Sequence, residues 1–469
     1  MISMKHLHKR LRRLGAMVLV LGLLGAASWA GDVVKDQHAA LGPGGNKTTQ
    51  TTHNTHPDAQ WYGRGNFGLF LHWGISSVEA KHELSWAIMD KESWNPHPIK
   101  PVDYYALAAR FDPRRYDADK WIKAAKEAGF TYAVLTTRHH DGYAMWPSKF
   151  GEMNTKKSGG QDLVRPYVEA CRKYGLKVGL YYSPQDWYFD RQYRSFGNGT
   201  AGTPDNPHLG MRHEPVTLPA APPAEHVAAQ KAYVRGQITE LLTRYGKIDV
   251  LWFDGGNAWM SIEEIRKLQP GILINNRINW NRSNVTTPYD IDTSNEGSLP
   301  KERPEAPWWE CCMTAVGSWA YIQGNAENPR PAEAILSDLV KVRAWGGNYL
   351  VNFAPMADGR MPESYYARMK EIGAWMKTNG PAVIGTQGGD WPEKSNVPVT
   401  RRGRTWFLHA TPDFKEEKLV LADAPGQPKS VKLRSSGQRL EFKRVGPKVE
   451  ITLPKAQRSA LPDVVDVHW

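Results

Sequence analysis

Apolar strand-like runs alternate with amphipathic helix-like segments over most of this chain, and this alternation restricts its fold more than any other feature. Seven strand-like runs occur, at residues 67–72, 132–136, 177–182, 248–254, 272–276, 308–313 and 349–353. Five helix-like segments lie between or after them, at residues 118–128, 163–174, 224–245, 331–345 and 363–378. Such alternation predicts a mostly parallel sheet, and the number of repeats favours a closed (β/α)8-like, TIM-type barrel over an open sheet.

Residue patterns divide the chain into four parts. Residues 1–30 join a basic start to a short apolar run and end on the small-x-small triplet Ser28-Trp29-Ala30, which predicts a signal peptide cleaved after Ala30. Residues 31–56 lack periodicity and are predicted to be a flexible linker. Residues 57–385 carry the barrel pattern. Residues 386–469 contain short β-like runs at 405–409, 419–422, 430–433, 439–442 and 449–453, which predict a small all-β sandwich.

The composition excludes several classes of protein. The formal net charge is +12, but five of the positive residues lie in the leader and the others are scattered, so no nucleic-acid partner is expected. No later stretch approaches the roughly 20 apolar residues of a spanning helix, so we expect no membrane span and an exported, periplasmic or extracellular protein. Three cysteines cannot build a disulfide scaffold. The 19 tryptophans suit the apolar faces of sugar rings. The oligomeric state does not follow from these patterns.

Polar side chains follow successive predicted strands at the point where each strand ends. They are His72, His139, His140, Tyr182, Asp254 and Arg277. Because the carboxyl ends of barrel strands meet at one face, we expect these side chains to surround one pocket.

Asp254 ends the apolar run 248–253 and is followed by Gly255 and Gly256, as expected for a strand that delivers a carboxylate to a site. Hydrolysis of a glycosidic bond needs two acids, and Asp254 suits the role of nucleophile. The candidates for the second acid are Glu296, Glu302, Glu305 and Glu310, and spacing alone does not choose among them. Histidine and arginine side chains can supply donors to sugar hydroxyls.

No metal or organic cofactor is predicted. The segment 82–86 begins like a zinc-protease motif but has Trp86 where the second histidine is required. His139 and His140 are adjacent, and neighbours on an extended chain point to opposite sides. Hydrolase serine elbows, phosphate loops and dinucleotide fingerprints are missing from the strand-helix junctions.

Several segments together resemble the α-L-fucosidases of glycoside hydrolase family 29. They are residues 67–74 (FGLFLHWG), 135–143 (LTTRHHDGY), 146–149 (WPSK), 179–183 (GLYYS), 251–255 (LWFDG), 309–319 (from WECCMT to Ser318-Trp319) and 347–352 (GNYLVN). The resemblance implies a (β/α)8-like barrel with a C-terminal β-sandwich, and a retaining mechanism without metal or cofactor.

The resemblance also implies roles for individual residues. Asp254 would be the nucleophile. Glu296 is chosen as acid/base, although its segment 292–300 is one residue longer than the family pattern. Glu310, the alternative candidate for the acid/base, is expected to support the site. Glu302 and Glu305 are expected to be solvated. The residues expected to contact the sugar or orient the acids are His72, His139, His140, Tyr182, Arg277, Trp319, Trp86 and Glu83, the last in place of a family glutamate that precedes a tryptophan.

The resulting hypothesis is an exported exo-acting α-L-fucosidase whose substrate is a fucosylated oligosaccharide or glycoconjugate. Two alternatives stay open at this point. The first is a noncatalytic glycan-binding protein on the same scaffold. The second is a glycosidase for a related sugar, either a galactoside or a sulfated fucan oligosaccharide.

Overall fold

The computed structural model describes residues 53–90, 95, 97–255, 259–279 and 288–469. The predicted signal peptide and most of the predicted linker lie outside these residues. Within the described part of the chain, none of the helices combines the length and apolar character needed to cross a membrane.

Eight parallel strands form one curved sheet, which confirms the predicted (β/α)8-type barrel. The strands are β1 (Phe67–Leu71), β2 (Tyr132–Arg138), β3 (Lys177–Tyr182), β4 (Val250–Phe253), β5 (Leu273–Ile274), β6 (Asp292–Glu296), β7 (Trp309–Thr314) and β8 (Asn348–Asn352). Their order in the sheet is β5-β4-β3-β2-β1-β8-β7-β6. A parallel bridge between Asn275 and Ile291 joins the two edge strands and closes the barrel.

One barrel strand, β6, has no counterpart among the seven predicted runs. Its sequence, DTSNE, has no apolar alternation, and Thr293 is its one fully buried residue. Pairing with β7, in which Asp292 lies opposite Trp309 and Glu296 opposite Cys312, holds this polar segment extended. Tertiary pairing therefore decides this element, because local propensity does not.

The helices follow the predicted segments closely and add three short ones. They are α1 (Pro101–Ala106), α2 (Ala118–Glu127), α3 (Val164–Tyr174), α4 (Ala224–Arg244), α5 (Ile262–Leu268), α6 (Gln323–Ala326), α7 (Ala332–Ala344) and α8 (Glu363–Asn379). The described residues between β6 and β7 contain no helix.

Residues after α8 form two antiparallel sheets. The strands are β9 (Gln387–Gly388), β10 (Val399–Arg402), β11 (Thr405–Ala410), β12 (Lys418–Leu421), β13 (Ser430–Leu433), β14 (Phe442–Val445), β15 (Lys448–Thr452) and β16 (Asp463–His468). One sheet has the order β9-β10-β11-β16-β13 and the other β12-β15-β14. Leu408, Leu419, Val449 and Val465 lie in one hydrophobic core shared by the two sheets. The run predicted at 439–442 is displaced, since the strand there begins at Phe442.

The packed chain begins earlier than the sequence pattern indicates. Asn54, in the stretch predicted to be a linker, is buried, and its backbone N–H donates to Asp290 at 2.6 Å. Its side-chain amide donates to the carbonyls of Pro270 and Ile272. Asn54 therefore belongs to the packed part of the chain, although it lies in the stretch predicted to be a linker.

Candidate active site

Strand β4 delivers Asp254 to the carboxyl-terminal face of the barrel. All four strand residues are buried, as expected for a strand covered on both faces. The Asp254 N–H donates to the Tyr182 carbonyl at 3.2 Å, which continues the pairing with β3 by one residue. Gly255 then adopts a φ of 71°, a conformation that favours glycine, and turns the chain away.

Two donors hold the Asp254 carboxylate. The Tyr181 hydroxyl donates to one carboxylate oxygen at 2.5 Å, and Arg277 Nη1 donates to the other at 2.8 Å. His140 Nε2 lies 3.5 Å from the oxygen that Tyr181 contacts. These contacts fix the orientation of the carboxylate and compensate its charge.

Arg277 joins Asp254 to Glu296 through a single guanidinium group. Its Nη1 donates to Asp254 and its Nη2 to Glu296, while its Nε donates to the Thr293 hydroxyl at 3.1 Å. Burial lowers the pKa of Arg277, but the negative charges of Glu296 and Asp254 outweigh this effect and raise it above its ordinary value. One planar cation therefore contacts both acids, so the two carboxylates lie beside the same guanidinium group.

Glu296 ends β6, at the same barrel face as Asp254. Its side chain keeps 11% of its surface exposed, the same fraction as that of Asp254. Both acids therefore keep a small accessible surface.

Glu310 occupies a different environment, inside the barrel. It accepts hydrogen bonds from the Trp252 indole at 2.6 Å and from the Tyr62 and Tyr132 hydroxyls, each at 2.9 Å. Burial raises its pKa, and these three donors oppose that rise. Residue Glu310 is only 1% exposed, and its carboxylate already accepts three hydrogen bonds. Glu310 is therefore placed to support Trp252, whose ring lies under the Arg277 guanidinium.

Three histidines line the same pocket, each with one ring nitrogen already bonded. His72 Nδ1 contacts Asn352 Oδ1 at 2.9 Å, His139 Nδ1 contacts the Ser85 hydroxyl at 2.5 Å, and His140 Nδ1 contacts the Ser183 hydroxyl at 2.6 Å. Since the amide oxygen of Asn352 can only accept, His72 Nδ1 carries the proton and its Nε2 is an acceptor.

Burial keeps two of these histidines, His72 and His139, neutral. It lowers the pKa of His72 to about 4 and that of His139 well below its ordinary value. Neutral imidazoles offer both donor and acceptor nitrogens to sugar hydroxyls near neutral pH.

The sequence-based argument that His139 and His140 point to opposite sides is wrong. Their ring centroids are 4.3 Å apart, because both residues follow β2 in a turn rather than in an extended strand. Together with Asp254 they offer three possible ligand atoms within 4.8 Å of one another. Arg277 already supplies positive charge to the same carboxylate.

The structure exchanges the roles of two neighbouring tyrosines. Successive strand residues face opposite sides. Tyr181 faces the barrel interior and contacts Asp254, whereas the Tyr182 hydroxyl donates to Gln237 of α4 at 3.0 Å. The Arg138 guanidinium covers the Tyr182 ring. The placement of Tyr182 in the pocket is therefore corrected, and Tyr181 takes its place.

This exchange predicts opposite outcomes for two matched variants. Tyr181→Phe removes a donor from Asp254, so we expect kcat/KM for an aryl α-L-fucoside to fall by about 10-fold or more with little change in the melting temperature. Tyr182→Phe removes a hydrogen bond on the outer side of the strand, so we expect near-normal kinetics and a loss of about 1 kcal/mol in the free energy of unfolding. The reverse result would return Tyr182 to the pocket.

Two tryptophans and Glu83 complete the pocket wall. The Trp86 ring lies edge-on to His140 at 5.2 Å, and the Trp319 ring lies 5.0 Å from His72. Glu83 accepts hydrogen bonds from the backbone N–H groups of Trp319 at 2.6 Å and Ala320 at 3.3 Å. Glu83 thus positions the Trp319 segment. The other two candidates for the second acid, Glu302 and Glu305, are exposed.

Glu83 also predicts a pH dependence of stability. Burial raises its pKa from 4.5 to about 7. The unfolded chain therefore loses this proton at lower pH than the folded protein, and stability falls as pH rises from about 4.5 to 7. Glu83→Gln removes this penalty, so thermal melts should show a gain over wild type that is larger at pH 8 than at pH 4. The gain is at most about 3 kcal/mol, since one pKa unit is worth about 1.4 kcal/mol.

Glu79→Gln is the matched control for this experiment. A hydrogen bond from Lys81 lowers the pKa of Glu79, so that carboxylate stabilises the fold above its ordinary pKa. Its replacement should give no gain at pH 8. A Glu83→Gln variant with the same pH profile as wild type would contradict the account.

Comparisons with known proteins agree with this geometry. A sequence model of the alpha-L-fucosidase family matches residues 34–381. Tissue alpha-L-fucosidase of Bos taurus is 28% identical over 375 residues, covering 75% of this chain and 74% of the relative. Alpha-L-fucosidase of Dictyostelium discoideum is 27% identical over 412 residues, covering 80% of this chain and 83% of the relative.

Two solved structures support the same assignment. Alpha-L-fucosidase isoenzyme 1 from Paenibacillus thiaminolyticus has a TM-score of 0.72 and 28% identity, covering 88% of this chain and 98% of that one. The Thermotoga maritima alpha-fucosidase in complex with a mechanism-based inhibitor has a TM-score of 0.67 and 26% identity, covering 88% of this chain and 97% of that one. The chain therefore belongs to the alpha-L-fucosidase family and is a glycoside hydrolase.

Proposed function

We propose that this protein is an exported, retaining exo-α-L-fucosidase in which Asp254 is the nucleophile and Glu296 the acid/base. The observation that carries the proposal is the Arg277 guanidinium, which donates to Asp254 and to Glu296 at once. This pairing places two accessible acids at one end of the barrel, as double displacement requires.

In the first step, an Asp254 oxygen attacks the anomeric carbon while Glu296, in its protonated form, donates its proton to the leaving glycosidic oxygen. The bond between the sugar and the aglycone breaks and a fucosyl ester of Asp254 forms. Tyr181 and Arg277 hold the carboxylate for this attack. Glu296 has to be protonated in this step, and protonation removes its charge attraction to Arg277. Substrate binding therefore has to loosen the contact between Glu296 and Arg277.

In the second step, Glu296 takes a proton from water, and the resulting hydroxide attacks the anomeric carbon and breaks the ester. Asp254 leaves as a carboxylate and the fucose keeps its original anomeric configuration. His72, His139 and His140 bind the ring hydroxyls, the first two as neutral imidazoles, and Trp319 packs against the methyl side of the sugar.

The test is hydrolysis of an aryl α-L-fucoside and a panel of fucosylated oligosaccharides, with the first-formed anomer followed by NMR. We expect α-L-fucose as the initial product. An initial β anomer would reject double displacement. Fucose binding without turnover of any fucoside would favour the glycan-binding alternative, and faster hydrolysis of a galactoside or a sulfated fucan oligosaccharide would change the assigned sugar.

The export part of the proposal rests on residues 1–30, which lie outside the described residues. Their basic start, apolar run and small-x-small end are typical of a signal peptide. Amino-terminal sequencing of protein recovered from the periplasm or medium should begin at Gly31. Recovery of the uncleaved chain from the cytoplasm alone would contradict export.

A further inference from the structure

A cavity of about 430 Å³ lies between the barrel and the C-terminal sheets, away from the candidate active site. The end of α7, the segment before β10 and the segment after β11 form its walls, and Leu299 and Pro300 close one side. Its volume is within the range of sites for small organic ligands.

The lining combines aromatic faces with hydrogen-bonding groups. Trp345 and Trp391 lie with their ring centroids 5.3 Å apart and, like Phe414, are partly exposed. Lys341 donates to Asp413 at 3.0 Å, and the Asp413 side chain is 66% exposed. An indole face binds the C–H face of a pyranose ring, and exposed polar groups beside it bind the hydroxyls.

The charges of the cavity indicate a neutral ligand. The Lys341 cation and the Asp413 carboxylate compensate each other. Burial raises the pKa of Asp413, but side-chain hydrogen bonds with Thr411 and Lys341 and the Lys341 charge lower it below its ordinary value. An anionic or cationic ligand would have to break this pair, whereas hydroxyl groups can bond to both partners and leave it intact.

The cavity is also connected to the catalytic acid. Leu299 and Pro300 follow Glu296 by three and four residues. Gly297, which lies between Glu296 and Leu299, donates its backbone N–H to the Cys312 carbonyl at 2.9 Å. On the far side, Arg303 donates to the carbonyl of Trp391 at 3.0 Å. A ligand in the cavity would therefore contact the same loop that carries Glu296.

We propose that this cavity is a second glycan-binding site, which holds a neutral hexose-containing arm of the glycoconjugate whose fucose is removed at Asp254. The inference rests on the proposed function, because it assumes that the enzyme meets such glycans. The site raises the affinity for large substrates and leaves the hydrolysis of small fucosides unchanged.

The test compares Trp391→Leu and Asp413→Ala with Trp406→Leu, a half-buried tryptophan of β11 that does not line the cavity. Calorimetry with a non-fucosylated biantennary N-glycan is carried out while a fucose-configured iminosugar fills the active site. We expect binding to wild type and to Trp406→Leu, and at least 5-fold weaker binding to Trp391→Leu and Asp413→Ala. Circular dichroism and aryl α-L-fucoside kinetics should be unchanged in all three variants.

With a fucosylated glycoprotein as substrate, the cavity variants should show a KM raised by about 3- to 10-fold and an unchanged kcat. Absence of glycan binding to wild type, or equal binding to Trp391→Leu and wild type, would overturn the proposal. Hydrolysis of the aryl fucoside by wild type checks the proposed function separately, since the calorimetric result does not depend on turnover.

Discussion

Asp254→Asn should lower kcat/KM for an aryl α-L-fucoside by roughly 10⁴-fold or more, the scale of loss seen when a nucleophile is removed. The amide keeps the size of the carboxylate and can still accept from Tyr181, so the pocket should persist. What is lost is the negative oxygen that forms the ester with the anomeric carbon. Steady-state kinetics, with fucose binding measured by calorimetry, separates this loss from a loss of substrate affinity.

The same residue allows a rescue experiment. Asp254→Gly opens space beside the anomeric carbon, and added azide should restore part of the activity by attacking from the vacated side. The product should be a β-fucosyl azide, because a single displacement inverts the anomeric centre. Full activity in the Asp254→Asn variant, or azide that leaves the rate unchanged while the glycine variant still binds fucose, would argue against Asp254 as nucleophile.

Glu296→Ala should show an effect that depends on the leaving group. An aryl fucoside with an acidic phenol leaves without a proton, so its first step should be slowed little. A fucosylated oligosaccharide leaves as an alkoxide, and its hydrolysis should fall by about 10² to 10⁴-fold, the usual contribution of a general acid. Azide should accelerate the second step of the variant, because that anion attacks without a general base.

Glu310→Gln is the control for this prediction. Glu310 accepts from Trp252, Tyr62 and Tyr132, and a glutamine amide can satisfy only part of these donors. We expect a loss of about 1 to 3 kcal/mol in stability and no dependence on the leaving group. If Glu310→Gln showed the leaving-group dependence and Glu296→Ala did not, the two assignments would have to be exchanged.

The sequence pattern alone predicts the barrel and selects Asp254, one of the two acids of the proposed mechanism, for a physical reason. Strand β4 is buried on both faces and is therefore a continuous apolar run, so the carboxylate at its end stands out. Strand β6 is polar and is held by pairing with β7, so Glu296 cannot be recognised from periodicity. Its assignment came from the family resemblance.

The sequence pattern does not predict the direction in which individual side chains of the site point. Tyr181 and Tyr182 belong to a strand that is buried on both sides, so neither face shows a polar signature that would select the residue facing the acids. The meeting of His139 and His140 depends on a turn after β2. The bridging role of Arg277 depends on the relative position of β4, β5 and β6, which only the closed barrel defines.

The most direct test of the account is to trap the covalent intermediate. Incubation with 2-deoxy-2-fluoro-α-L-fucosyl fluoride slows both steps and should leave a fluorofucosyl ester on the protein. Proteolysis and mass spectrometry should then find one added sugar on the peptide that contains Asp254 and none in the Asp254→Asn variant. A label on Glu296 or Glu310, or fucoside hydrolysis with no labelled protein and an inverted product, would contradict the proposed mechanism.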